Sequence, residues 1–75
     1  MRATVELGSW AKPYVSDQII FLEMADGSTL FDVICKVGLP EEEVGIAVLD
    51  GKAIAREHVL ANEVHIKLHP AIFGG

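Results

Sequence analysis

The sequence is poor in cysteine, in basic residues and in long apolar runs. Its single cysteine, Cys35, cannot form a disulfide within the chain, which fits a reducing compartment. Its 6 lysine and arginine residues are outnumbered by 11 acidic ones, which gives a net charge of −5. Proteins that bind nucleic acid need clustered positive charge to displace counterions, so we expect no nucleic-acid partner.

The hydrophobic residues are distributed as in a small globular domain. No segment of the sequence approaches the ~20 consecutive apolar residues of a membrane-spanning helix, so we expect no membrane partner. Glu6 interrupts the apolar stretch that follows Arg2, which argues against a secretory leader and favours a cytoplasmic protein. The 75 residues suffice for one domain, and 51% of them are hydrophobic, which is typical of a folded chain rather than a disordered one.

Alternating apolar and polar residues predict a strand at each end of the chain. Residues 2–7 place Ala3, Val5 and Leu7 on one face. Residues 63–69 alternate in the same way, with Val64, Ile66 and Leu68 inward and with His65, Lys67 and His69 outward. Residues 17–24 predict a further strand that is apolar on both faces, so its buried face stays open between two sets: Ile20, Leu22 and Met24, or Ile19 and Phe21.

The middle of the sequence predicts one helix. Thr29 and Asp32 have the spacing of a capping box, with Asp in place of the usual Glu or Gln. Gly38 suits a left-handed helix end, and Pro40 prevents the helix from continuing. Between these signals, one helical stripe of apolar residues is formed by Leu30, Val33, Ile34 and Val37.

After the helix, residues 44–49 and 52–54 predict two strands joined at Asp50-Gly51, a pair typical of hairpin turns. Residues 55–62 form a connection with room for one helical turn. The predicted order is therefore β-β-α-β-β-β, and a two-layer arrangement buries all the apolar faces. We expect a mixed sheet with the first and last strands adjacent.

A hairpin, a helix opened by DGSTLFDVI, a strand and turn in VGIAVLDG, and a final VLANEVHIKLHPAIFGG together resemble the ubiquitin-like sulfur-carrier family. This family includes the small subunit of molybdopterin synthase and the sulfur carrier of thiamine thiazole synthesis. The resemblance covers essentially the whole chain, and its most specific part is the proline after the last strand followed by a final Gly-Gly. It implies an α+β fold of the β-grasp type, with a mixed sheet of four to five strands packed on one main helix.

The resemblance also implies a role for the C-terminus. Residues 1–70 would form the β-grasp domain, and residues 71–75 a flexible tail. The Gly75 carboxyl group would be adenylated and converted to a thiocarboxylate that donates sulfur. Gly74 and Gly75 have no side chains and so fit a narrow channel in a partner enzyme, while Pro70 would stiffen the base of the tail.

The partners implied by the resemblance are an E1-like adenylating enzyme and a sulfur-acceptor synthase subunit. The chain would bind no cofactor permanently, since ATP would be used by the adenylating partner. Ile72 and Phe73 are the best candidates for docking, because apolar side chains on a projecting tail have little of their own domain to bury against. The remaining candidates for partner binding are Lys67, His69 and Pro70.

The sequence departs from the family pattern at two places. One bears on which molecule accepts the sulfur, and the other on the turn before the last strand. The molybdopterin branch typically has a Pro-Pro pair where this chain has Pro70-Ala71, and the thiazole branch usually lacks the prolines. Pro70 therefore favours molybdopterin synthesis. The family usually has Gly-Asp before the last strand, and we expect Asn62 to adopt the glycine's positive φ.

Other side chains predict no chemistry of their own. His65 and His69 would lie about 13 Å apart along a strand, too far to bind one zinc ion. Cys35 flanks the apolar stripe and is expected to be partly buried. The glutamates of residues 41–43 are expected to be solvated. Of the two aromatic residues near the first loop, Trp10 and Tyr14, we expect core packing rather than partner docking.

Four functions stay open from the sequence. The first is sulfur donation in molybdopterin synthesis, with the chain as a carrier or as the small subunit of a sulfurtransferase complex rather than an enzyme by itself. The second is sulfur donation in thiamine thiazole or amino-acid synthesis. The third is a ubiquitin-like modifier joined through Gly75 to lysines of other proteins. The fourth is a plain interaction module in which Gly74 and Gly75 are idle.

Overall fold

The computed structural model describes residues 1–71, which form five strands and one α-helix. Their order confirms the predicted β-β-α-β-β-β sequence. A short 3₁₀ turn, Ser9–Ala11, follows the first strand, and a second, Glu41–Glu43, precedes the third. The elements are β1 (Arg2–Glu6), β2 (Ile19–Glu23), α1 (Leu30–Val37), β3 (Val44–Leu49), β4 (Lys52–Ile54) and β5 (Val64–Pro70).

The five strands form one mixed sheet in the order β2-β1-β5-β3-β4. β5 lies at the centre, parallel to β1 and antiparallel to β3. The predicted adjacency of the first and last strands is therefore confirmed. β5 pairs with a neighbour on each side, as β1 and β3 also do, so of these five strands only β2 and β4 are edge strands.

Both predicted ends of α1 are confirmed. The Thr29 hydroxyl accepts the Asp32 N–H at 3.3 Å, and the Asp32 carboxylate accepts the Thr29 N–H at 2.9 Å, so the capping box is complete. Gly38 ends the helix with φ 95°, a conformation that glycine adopts without a Cβ clash. The helix thus begins and ends where its own residues satisfy the free backbone groups.

A single core joins the helix to one face of the sheet. The helix contributes three fully buried side chains, and the strands contribute the inward residues predicted from their alternation. The largest fully buried side chains are Leu30, Ile34, Ile66, Leu68, Val5 and Val33. Removing this apolar surface from water is the main source of stability in so small a domain.

The structure decides the buried face of β2 and confirms the hairpin. Ile20, Leu22 and Met24 pack on the core, whereas Ile19 is 50% exposed and Phe21 is 78% exposed. Asp50 and Gly51 both have positive φ, at 51° and 78°, as a two-residue hairpin turn requires.

The two aromatic residues near the first loop differ in burial. Trp10 packs against the core as expected, but Tyr14 is 45% exposed, so the expectation of core packing was wrong for Tyr14.

Three further expectations were wrong. Asn62 does not adopt positive φ: its side-chain oxygen accepts the Arg2 backbone N–H at 2.7 Å, and the reversal falls on Glu63, with φ 61°. Residues 55–62 contain no helical turn, because His58 closes a turn with Ala55 and the following residue bridges to the start of α1. Cys35 is exposed, because it lies one position beyond the buried stripe.

Candidate functional site at the carboxyl end of the last strand

The candidate site lies where β5 ends and the predicted tail begins. Pro70 is the last residue of β5 and pairs with Val44 of β3. The next residue, Ala71, donates its N–H to the Glu43 carbonyl oxygen at 3.0 Å and is half-buried. The chain therefore stays attached to the body of the domain up to the last described residue.

A β-bulge in β3 shapes this attachment. Val44 pairs with Pro70 while Ile46 pairs with His69, so two steps along β3 correspond to one step along β5. Gly45 is the extra residue of the bulge. Bulges bend a strand locally and change the direction of the residues beside them, and they occur often next to functional sites.

The 3₁₀ turn Glu41–Glu43 is fixed from one side by Arg56. The guanidinium donates to the Val44 carbonyl oxygen at 2.6 Å and pairs with the Glu41 carboxylate at 3.3 Å. The Arg56 side chain is 28% exposed, so water screens these contacts only in part. Arg56 thereby ties the connection between β4 and β5 to the start of β3.

Tyr14 fixes the same turn from the other side. Its hydroxyl donates a hydrogen bond to the Glu43 carboxylate at 3.0 Å. This bond, together with partial desolvation and the nearby charges of Glu43 and Glu42, raises the pKa of Tyr14 above its ordinary value of 10.0. The carbonyl of the same Glu43 receives the Ala71 N–H, so Tyr14 acts on the turn that holds the base of the tail.

The outer face of the sheet carries the predicted partner-binding residues of β5. Lys67 is exposed and His69 is half-buried, and both lie on the face away from α1, as expected. Lys67 lies in a cross-strand row with Glu6 and Val48, and His69 pairs with Ile46, which is 54% exposed. On this face, each of these two polar side chains of β5 therefore has an apolar neighbour on β3.

A shallow groove of about 690 Å³ connects this face to the tail base. Its floor includes Ile46 and Val48, and His69, Pro70 and Ala71 line the side where the chain leaves the sheet. A second hollow of about 490 Å³ lies at the opposite end of the strands, beside Phe21 and His65. Of these two, only the first adjoins the end of β5.

Four of the predicted site residues lie outside the described residues: Ile72, Phe73, Gly74 and Gly75. The structure brings Lys67, His69 and Pro70 together along β5 and places Pro70 at the base of the tail. The ring of His65 is directed to Glu6, with 3.3 Å between Nε2 and Oε2. Within residues 1–71, no group of three or more histidine, cysteine or acidic side chains is arranged to hold a metal ion.

Sequence reasoning missed three residues of this site: Gly45, Arg56 and the Tyr14 hydroxyl. A glycine inside a strand pattern is a known sign of a bulge or a close backbone approach, so Gly45 carried a usable signal. Arg56 and Tyr14 carried none, because their partners lie 12 to 29 positions away along the chain.

No family model matches the chain, and no curated protein matches it by sequence. Solved structures do match. SAMP1 from Haloferax volcanii superposes with a TM-score of 0.75 over 100% of both chains, at 13% identity. A second structure, of the H. volcanii small archaeal modifier protein 1, gives 0.77 over 95% of this chain and 98% of that one, at 12% identity.

A third match is a Pyrococcus furiosus protein provisionally named molybdopterin converting factor, subunit 1. Its TM-score is 0.77 over 96% of this chain and 99% of that one, at 13% identity. The chain has the β-grasp fold. The matching proteins are of the kind that the sequence resemblance indicated, and at these identities the resemblance is confirmed for the fold.

In this β-grasp domain the last strand is central, and the tail base is held by the bulge of β3 and by the Glu43 carbonyl. Within residues 1–71 no helix combines the length and apolarity needed to cross a membrane.

Proposed function

We propose that the chain is a cytoplasmic sulfur carrier whose reacting group is the Gly75 carboxylate. In an E1-like partner, this carboxylate attacks the α-phosphate of ATP, pyrophosphate leaves, and an acyl-adenylate forms. Hydrosulfide then displaces AMP and loses its proton, which leaves a thiocarboxylate that a second partner uses as its sulfur donor. Activation is required because a free carboxylate is a poor electrophile.

One observation supports this proposal above the others: the β-grasp domain ends its central strand directly before the sequence that closes in Gly-Gly. β5 is paired on both sides, and Ala71 is still hydrogen-bonded to Glu43. A partner that binds the folded domain would therefore hold the chain up to Ala71, and the reacting carboxylate of Gly75 would lie four residues further on. The domain serves as a handle, and the partners supply the catalytic groups.

The acceptor that we propose is the molybdopterin precursor, so that the chain would be the small subunit of a hetero-complex of the molybdopterin synthase type. Pro70 at the end of β5 supports this choice, as does the likeness to the Pyrococcus furiosus protein. The outer-face residues Lys67, His69 and Ile46 would contact the partner, and Ile72 and Phe73 would anchor the tail.

The decisive experiment extends the chain by one alanine after Gly75. The wild-type chain, incubated with ATP, the adenylating enzyme and sulfide as the sulfur source, should release pyrophosphate and gain the mass of one sulfur for one oxygen. The extended chain should do neither, because its terminal carboxylate is displaced by one residue. Equal thermal unfolding of the two chains is the control, and undiminished sulfur transfer by the extended chain would overturn the proposal.

A second candidate is a ubiquitin-like modifier, favoured by the likeness to the small archaeal modifier protein. The same adenylate would then be attacked by lysine amines of target proteins. Digestion with chymotrypsin, which cleaves after aromatic residues such as Phe73, separates the two fates. Conjugation leaves a Gly-Gly remnant on lysines, whereas sulfur transfer leaves the free chain with a thiocarboxylate.

A further inference from the structure

Gly45 occupies a place where no larger residue fits. A Cβ built on Gly45 would lie 2.5 Å from the Pro70 carbonyl oxygen and 2.9 Å from the Ala71 Cα, closer than real side chains approach. Gly45 is not among the glycines with positive φ. It is therefore required for space and not for its backbone conformation.

Both atoms that a side chain would meet belong to the backbone. A rotated side chain cannot relieve such a contact, so either the end of β5 or the bulge itself would have to move. Ala71 is also held by the Glu43 carbonyl, at 3.0 Å from its nitrogen. Glu43 and Gly45, here called the tail mount, thus fix Ala71 by a hydrogen bond and by close packing.

The tail mount has little freedom to yield. Arg56 binds the Val44 carbonyl between the two mount residues, and Tyr14 binds the Glu43 carboxylate. These contacts come from the connection before β5 and from the loop after β1, two parts of the chain that are otherwise separate. Strain introduced at Gly45 is therefore expected to move the end of β5 rather than the turn.

We propose that Gly45 is a positioning residue that sets where, and in which direction, the C-terminal tail leaves the domain. This inference rests on the proposed function, since position matters only if Gly75 must reach a partner's site. Residues 72–75 can span at most about 14 Å when fully extended. With so short a reach, a displacement of Ala71 by about 1 Å changes which positions the Gly75 carboxylate can occupy in a partner's site.

The test compares Gly45→Ala with Gly27→Ala. Gly27 has φ 87° and nothing within 4 Å of a Cβ, so its substitution destabilises the domain without touching the tail mount. Amide hydrogen exchange of Ala71, measured by NMR, should become at least about tenfold faster in Gly45→Ala than in Gly27→Ala. The kcat for adenylation should fall about 100-fold in Gly45→Ala only, with an unchanged KM for the carrier.

The two readouts separate the failure of this inference from the failure of the proposed function. If the wild-type chain is not adenylated, the proposed function fails, and Ala71 exchange still tests the mount. If Gly45→Ala matches Gly27→Ala in both Ala71 exchange and kcat, the positioning role is overturned. If Gly45→Ala does not fold, Arg56→Met decides: it adds no atom near Ala71, and it should still speed Ala71 exchange several-fold, whereas unchanged exchange would overturn the inference.

Discussion

The backbone at Ala71 is restrained by a hydrogen bond to a single carbonyl group, that of Glu43. A second proline at this position, as is typical of the molybdopterin branch of the sulfur-carrier family, would have no N–H and a fixed φ. Ala71 keeps its N–H and donates it to the Glu43 carbonyl. At position 71, a hydrogen bond therefore restrains the backbone where the family's second proline would restrain it by its ring. Gly45, which lacks a Cβ, leaves the space that Ala71 occupies.

The hydroxyl of Tyr14 offers a direct probe of this region, because Tyr14 is the only tyrosine in the chain. Glu43→Ala removes the acceptor that raises the Tyr14 pKa, so that pKa should fall back toward 10.0. A titration followed by phenolate absorbance measures it, and Glu23→Ala, which removes an equal charge on β2, should leave the pKa raised. Identical titrations of the two variants would contradict the hydrogen bond.

The raised pKa of Tyr14 also makes the free energy of unfolding depend on pH. Because the folded-state pKa of Tyr14 lies above the unfolded one, its contribution is complete below pH 10.0 and is lost as the pH rises through the folded value. The free energy of unfolding should therefore decline more steeply with rising alkaline pH in the wild type than in Tyr14→Phe. Unfolding in denaturant at several alkaline pH values measures this difference, and parallel declines would contradict it.

Burial predicts which isoleucines stabilise the domain. Ile66 is fully buried in β5, whereas Ile19 is 50% exposed on β2. Ile66→Val should lower the free energy of unfolding by about 0.5–1.5 kcal/mol, because it leaves a small cavity. Ile19→Val, the same chemical change, should cost less than about 0.5 kcal/mol. Denaturant unfolding of both variants measures the difference, and equal costs would show that the core is assigned wrongly.

Among the secondary structure elements, α1 is defined mainly by its own ends. Eight residues are too few for an independent helix in water, so capping and the buried stripe together hold it. The strands differ: β3 departs from regular pairing at Gly45, and the turn Glu41–Glu43 depends on contacts from outside itself. Local sequence thus defines the helix, while tertiary contacts define the segment that holds the tail.

The capping box gives a prediction for α1. Thr29→Ala removes the hydroxyl that accepts the Asp32 N–H, and it should lower the free energy of unfolding by about 1 kcal/mol. Ser16→Ala, which removes an exposed hydroxyl from the loop before β2, should change it little. Thermal and denaturant unfolding check both values, and an unaffected Thr29→Ala protein would show that the cap contributes nothing.

Across the whole molecule, the central strand comes last in the sequence. β5 joins the β1–β2 hairpin to the β3–β4 hairpin and supplies Ile66 and Leu68 to the core. Neither hairpin contacts the other through sheet hydrogen bonds without it. Folding therefore requires pairing between residues about 60 positions apart, as between Ala3 and Val64.

Truncation tests this dependence. A chain ending at Glu63 lacks β5 and should be unfolded, with collapsed dispersion of its amide NMR signals. A chain ending at Ala71 keeps every described element and should fold with nearly the wild-type free energy of unfolding. An unfolded chain 1–71 would instead mean that residues 72–75 contribute to the domain.

The sequence by itself determined the features that depend on near neighbours along the chain. These are the ends of α1, the inward faces of β1 and β5, and the turn at Asp50-Gly51, each set by residues within about four positions. The family resemblance indicated the β-grasp fold and proposed the role of Gly75, which no described contact tests.

Only the tertiary structure decided the features that join distant residues. It selected the buried face of β2 and brought Gly45 against Pro70 and Ala71. The Asn62 side chain accepts the Arg2 backbone N–H, and the positive φ falls on Glu63 instead of Asn62. These partners lie 25 to 60 positions apart, and backbone preference does not encode such pairs. They form because burying one shared core leaves a single arrangement in which all five strands pair.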